Sequence, residues 1–201
     1  MALQIDFTCP STRPDQSTSK MTELQDKLDQ LAQNLFGSRK KNLLPPEFVD
    51  GGPKVRFTED GTGAYAELSL AAACNWPTAI FELAHEIIHL LDPRPIPPVG
   101  KGASRFEEGL AVNFSLAVSK AIGDYPAMSE QLKDKKYKKY ANAHQLLSRL
   151  GGDLYSRARE IRHQAGHFSD ATAQNFISVS PKLHEDIAHK LAESFYEEKQ
   201  K

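Results

Sequence analysis

The chain has 201 residues, 40% of them hydrophobic and 25% charged, with a formal net charge of −1. That length suits a single domain with a real core, and the near-neutral balance gives no electrostatic push toward nucleic acid or an anionic membrane surface. No apolar run approaches the roughly 18 residues that a bilayer-spanning helix needs, and no secretory pattern opens the chain. Cys9 and Cys74 are too few for a disulfide framework, so the expectation is a cytoplasmic protein with reduced thiols.

Residues 1–20 are expected to be a flexible segment, because Thr8 to Lys20 is polar and rich in Ser, Thr and Pro. The alternation of Leu3, Ile5 and Phe7 suggests a short strand only weakly. Residues 21–201 read as one domain. Leu24, Leu28, Leu31 and Leu35 recur at helical spacing, which predicts a surface helix from Met21 to Phe36, capped at Thr22 and stopped by Gly37. Pro45, Pro46, Gly51, Gly52 and Pro53 mark a connecting loop. Two strand-like runs follow, Lys54 to Thr58 and Gly63 to Leu70, and the turn signal between them predicts an antiparallel hairpin.

The stretch Phe81 to Leu91 reads FELAHEIIHLL and contains the pattern HExxH. His85 and His89 are four apart, so a helix puts both on one face where they can close on the same metal ion. Glu86 then lies where it can reach a water beside that ion. Apolar residues on nearly every side of this helix predict burial, and two buried imidazoles with a carboxylate are costly unless something such as a metal satisfies them. Asn75-Trp76-Pro77 opens the helix and Asp92-Pro93 closes it. A stiff loop, Pro93 to Gly102, leads to a second apolar helix from about Ser104 to Ile122. Glu107 and Glu108 stand at its start. A catalytic zinc takes three protein ligands and keeps one open position, and spacing alone does not choose between these two neighbours for the third.

Further helices are predicted over Ser129 to Leu150, Asp153 to Ala165 and Pro181 to Glu198, with Gly151-Gly152 as a break. The basic run Lys133 to Tyr140 reads as a solvated face with Tyr137 and Tyr140 as packing. His163 and His167 form a second i, i+4 pair without a carboxylate between them, a weak metal signal. His184 and His189 are five apart; their rings diverge by about 140° on a helix, so they read as surface residues.

The order HExxH, eighteen intervening residues, then Glu-Gly-Leu-Ala resembles the gluzincin zinc metallopeptidases. The resemblance implies Zn2+ held by His85, His89 and Glu108, with Glu86 as general base. It also implies an edge strand, here Ala64 to Leu70 with Tyr65, Ala66 and Glu67, that pairs with extended substrate. A later Tyr or His would stabilise the charged carbonyl oxygen, with Tyr140, Tyr155, His163 and His167 as candidates. Some members place an acid four residues after the third ligand; that position here is Val112, leaving Asp92 or Asn113 as partners for a zinc-bound histidine. The expected fold is α+β and zincin-like, mostly helical, with a small antiparallel sheet before the HExxH helix. The expected function is cleavage of a peptide or protein substrate. The alternative is a non-catalytic binding module whose metal site is vestigial, or structural and closed by a fourth ligand such as Asp92, His163 or His167.

Overall fold

The computed structural model describes residues 3–95, 101–123 and 125–196. The first helix, α1 (Thr18–Phe36), starts one turn earlier than its leucine spacing suggests. Ser17 is its N-cap residue, and the Thr22 hydroxyl donates back to the Thr18 carbonyl from inside the helix. Leu24 and Leu28 are fully buried. Gly37 ends the helix at φ 97°, a conformation that a side chain would strain. The segment before α1, expected to be flexible, lies against the body of the protein. Phe7 is buried with its ring 5.7 Å from Trp76, whose indole N–H donates to the Thr12 carbonyl at 2.8 Å. No strand forms at Leu3 to Phe7.

Two short strands, β1 (Asn42–Leu43) and β2 (Glu47–Val49), occupy the stretch read as a loop. They are followed by β3 (Lys54–Phe57) and β4 (Gly63–Ser69). The predicted hairpin is present, with β3 antiparallel to β4. The sheet as a whole is mixed, not antiparallel, because β1 and β2 both run parallel to β4. The cause is the crossing at Gly52-Pro53, where the chain leaves one side of β4 and returns along the other. A Cβ on Gly52 would sit 2.8 Å from the Leu68 carbonyl carbon, so only glycine permits that crossing. Strand β4 is consequently central: Glu67 pairs with Glu47 on one side and Lys54 on the other.

Ser69 then caps the short α2 (Leu70–Cys74), and Asn75 caps α3 (Trp76–Leu90) by accepting from the Thr78 N–H. As expected from its composition, α3 is buried along almost its whole length. It packs most extensively on α4 (Arg105–Gly123). The helix predicted from Ser129 to Leu150 is instead two, α5 (Pro126–Gln131) and α6 (Lys138–Ser148). Asp134 breaks the run by accepting from the Lys136 N–H and starting a separate 3-10 turn. Helix α7 (Leu154–Ala165) follows, capped by Asp153, and then α8 (Ala173–Val179). That helix escapes a periodicity search because it buries only Phe176. The last helix, α9 (Glu185–Ala192), is shorter than predicted. Its chain continues as an extended segment in which Ser194 bridges to Ser104. Buried apolar side chains from the sheet and from every helix except α5 form one core cluster. No helix among the described residues is long and apolar enough to cross a membrane.

One buried cation ties the far ends of two helices together. The Arg162 guanidinium on α7 donates to the carbonyls of Phe36, Gly37 and Ser38 at and just past the end of α1, and to that of Leu91 just past α3. It thereby satisfies carbonyls that a helix end leaves without partners. Hydrogen bonds to a charged group contribute roughly 1.5–3 kcal/mol each, and orphaning a buried acceptor costs a comparable amount. Arg162→Ala is therefore expected to destabilise the fold by about 3 kcal/mol or more, read as a lower urea midpoint at unchanged m-value.

Candidate metal centre

Helix α3 presents His85 and His89 on one face, and α4 crosses it so that Glu108 meets them. One ligand atom from each lies within 4.8 Å of the others, and all three side chains are largely withdrawn from solvent. The two Nε2 atoms are 3.3 Å apart, His85 Nε2 is 3.3 Å from Glu108 Oε2, and His89 Nε2 is 3.7 Å from Glu108 Oε1. Glu108 Oε2 is buried and accepts no hydrogen bond. Lone-pair atoms converging at such distances, one of them an orphaned buried oxygen, fit a cation between them. The group could hold a metal ion.

The choice left open between Glu107 and Glu108 resolves by direction. Successive helical positions point about 100° apart, so the two carboxylates serve different ends. Glu107 Oε1 lies 2.8 Å from His89 Nδ1. Its other oxygen accepts from the Ser169 hydroxyl, and Ser169 Oγ accepts from the Ser104 N–H. A carboxylate on Nδ1 fixes one proton there, so Nε2 is the nitrogen offered to the centre once its own proton is lost. Glu107 thus takes at His89 the role expected of Asp92 or Asn113; the Asp92 backbone carbonyl accepts from His167 Nε2, and Asn113 Nδ2 lies 3.3 Å from His144 Nε2.

Electrostatics follow from burial. Desolvation raises the Glu86 carboxyl above the usual range, and His85 and His89 only partly offset it. For Glu108, burial acts upward too, but His89 and His85 outweigh it and hold the carboxyl well down. Burial disfavours a charged His89, yet Glu108 and Glu107 reverse that and push its pKa well up.

The group opens into a cleft of about 470 Å³, lined also by Glu86, Tyr140 and the residues of β3. Among the described residues no fourth His, Cys, Asp or Glu joins it. The residues proposed for closing the site are accounted for. Both ring nitrogens of His167 are occupied, by the Asp92 carbonyl and the Ser169 N–H, and His163 is exposed on α7.

Of the candidates for stabilising a charged oxygen, the structure brings only Tyr140 to the cleft, with its ring 5.9 Å from that of His85. Tyr155 packs on Phe36 in the core, 5.6 Å between rings. Gly109 explains how Tyr140 arrives. A Cβ there would stand 2.6 Å from the Ala143 carbonyl, so α6 can approach α4 only over a glycine. Tyr196 also lines the cleft; the sequence hides it, because the helical periodicity of the last segment runs on past Ala192, where α9 stops. His184 and His189 are exposed, as expected.

The strand expected to meet substrate lies inside the sheet: Tyr65, Ala66 and Glu67 belong to β4, with β3 on one side and β1 and β2 on the other. Among the described residues the outer edge of β3 carries no further strand, and Lys54, Val55, Arg56 and Phe57 line the cleft. No protein-family model, curated protein or solved structure matches the chain.

Two outcomes test the centre. Glu108→Ala should abolish stoichiometric metal binding, and Glu107→Gln should weaken it by roughly 10- to 100-fold, both read by mass spectrometry and chelator competition. Because His89 holds a proton well above the ordinary imidazole range, an incoming metal must displace it. Affinity is therefore expected to rise with pH through the neutral region and to fall on acidification. Calorimetry in buffers of different ionisation enthalpy should detect the released proton.

Proposed function

We propose that the protein is a zinc-dependent peptidase of the gluzincin kind, with His85, His89 and Glu108 as metal ligands and Glu86 as general base. The observation that carries this is the three-donor group opening onto a cleft directly beside a buried carboxylate with no hydrogen bond or ion pair among the described residues. Ligands at about 2.0–2.1 Å in a tetrahedron stand about 3.3–3.4 Å apart, close to the separations of these donors, which favours zinc over larger ions. When bound, such an ion supplies a Lewis acid that polarises a carbonyl and acidifies water.

The remaining chemistry belongs to the chain. Glu86 lies in a largely dry wall of the cleft, and among the described residues no hydrogen bond or ion pair holds its carboxylate. Its raised pKa suits it to take a proton from the attacking water and return it to the leaving amine. Tyr140 lines the cleft and is kept protonated by burial, which supports a role in donating toward the carbonyl oxygen as charge develops. The free edge of β3 suits an extended peptide, which would gain main-chain hydrogen bonds by strand addition.

Glu86→Gln tests this assignment because the amide keeps shape and removes the base. The expected result is full metal content with peptide cleavage reduced by about 10²- to 10⁴-fold, measured on a peptide library. Cleavage at the wild-type rate would rule out Glu86 as the base.

A further inference from the structure

A second cavity of about 120 Å³ shares His85, Glu86 and Tyr140 with the metal cleft as a common wall. Phe81, Val112, Met128 and Leu132 make its sides apolar. Its charges are one-sided. Glu82 and Glu86 both line it, and no lysine or arginine among the described residues does.

Glu86 has a role already; Glu82 does not. It sits four residues earlier on α3 and shares that face. No cation pairs with its carboxylate among the described residues. The Ser69 N–H and hydroxyl donate to its two oxygens at 2.8 and 2.7 Å, which orients the group without neutralising it. Each oxygen keeps a further lone pair. A partly buried carboxylate without a counter-charge beside it is costly, and the loss of solvent around it pushes its pKa up. A cation entering the cavity would remove that cost. An apolar side chain could fill the walls but would bury Glu82 further, and an acidic one would meet two like charges.

We propose that this cavity is the substrate side-chain pocket and that it takes a lysine or arginine. The cationic head would reach Glu82 while the aliphatic stem lies along Phe81, Val112, Met128 and Leu132, as long basic side chains do on apolar surfaces. The inference deepens the peptidase assignment and rests on it.

The test is equilibrium binding, by fluorescence polarisation, of labelled peptides blocked at both ends. They carry Lys, Arg, Leu or Glu at one position in an alanine context. The protein is the zinc-loaded Glu86→Gln variant, with and without Glu82→Gln. Lys and Arg peptides should bind at least about fivefold tighter than Leu, with Glu weakest. Glu82→Gln should erase the Lys-over-Leu ratio while leaving metal content unchanged, since the amide oxygen still accepts from Ser69. A Leu preference, or a ratio that survives Glu82→Gln, would overturn the proposal, as would selectivity seen only with a free terminal amine. Cleavage by the wild-type protein separates the two ideas. Turnover with another side-chain preference defeats the pocket alone, and Lys-selective binding with no turnover on any library peptide defeats the peptidase assignment alone.

Discussion

Two adjacent carboxylates on one helix face in different directions, and the centre depends on that divergence. Glu108 points at the histidine nitrogens; Glu107 reaches behind His89 and takes its Nδ1. Without the second contact, the His89 imidazole could present a protonated nitrogen to the centre. With it, the tautomer is set by a carboxylate that is itself held by Ser169, which is in turn held by the Ser104 N–H. A candidate metal ligand and the group that orients its neighbour thus come from consecutive residues, and any rotation of α4 would lose both together.

The parts of this arrangement legible in the sequence were the local ones. HExxH states its own geometry, since four residues on a helix fix which side chains share a face. The burial of α3 was equally plain from its unbroken apolar content. Pairing across the chain was not legible. The strands β1 and β2 are two and three residues long, too short for any alternation to show, yet they turn β4 from an edge into a centre. The choice between Glu107 and Glu108 needed the angle at which α4 crosses α3, which no spacing encodes. Tyr196 needed the point at which α9 ends. Each miss is a tertiary fact overriding a local pattern.

The glycines in the motif region carry information of a different kind. Gly109 follows the third donor directly, and in a sequence it reads only as a weak helix former. In the fold it is the place where α6 meets α4, close enough that a methyl group would collide with a carbonyl. That proximity brings the Tyr140 ring edge-on to His85 and closes one side of both cavities. Gly109, beside the third donor, therefore shapes the walls of both cavities through the helix packing alone.

The clamp made by Arg162 has a consequence for the energetics with which the candidate centre would take up an ion. Helix ends ordinarily fray, and His89 lies within the last turn of α3. Here the carbonyls just beyond that turn are both taken, Leu91 by Arg162 and Asp92 by His167. The ligand-bearing turn is thus held by the folded body itself, whether or not an ion is present. The conformational entropy of assembling the site is spent when the chain folds, so an arriving ion has little left to order and its binding free energy goes into coordination.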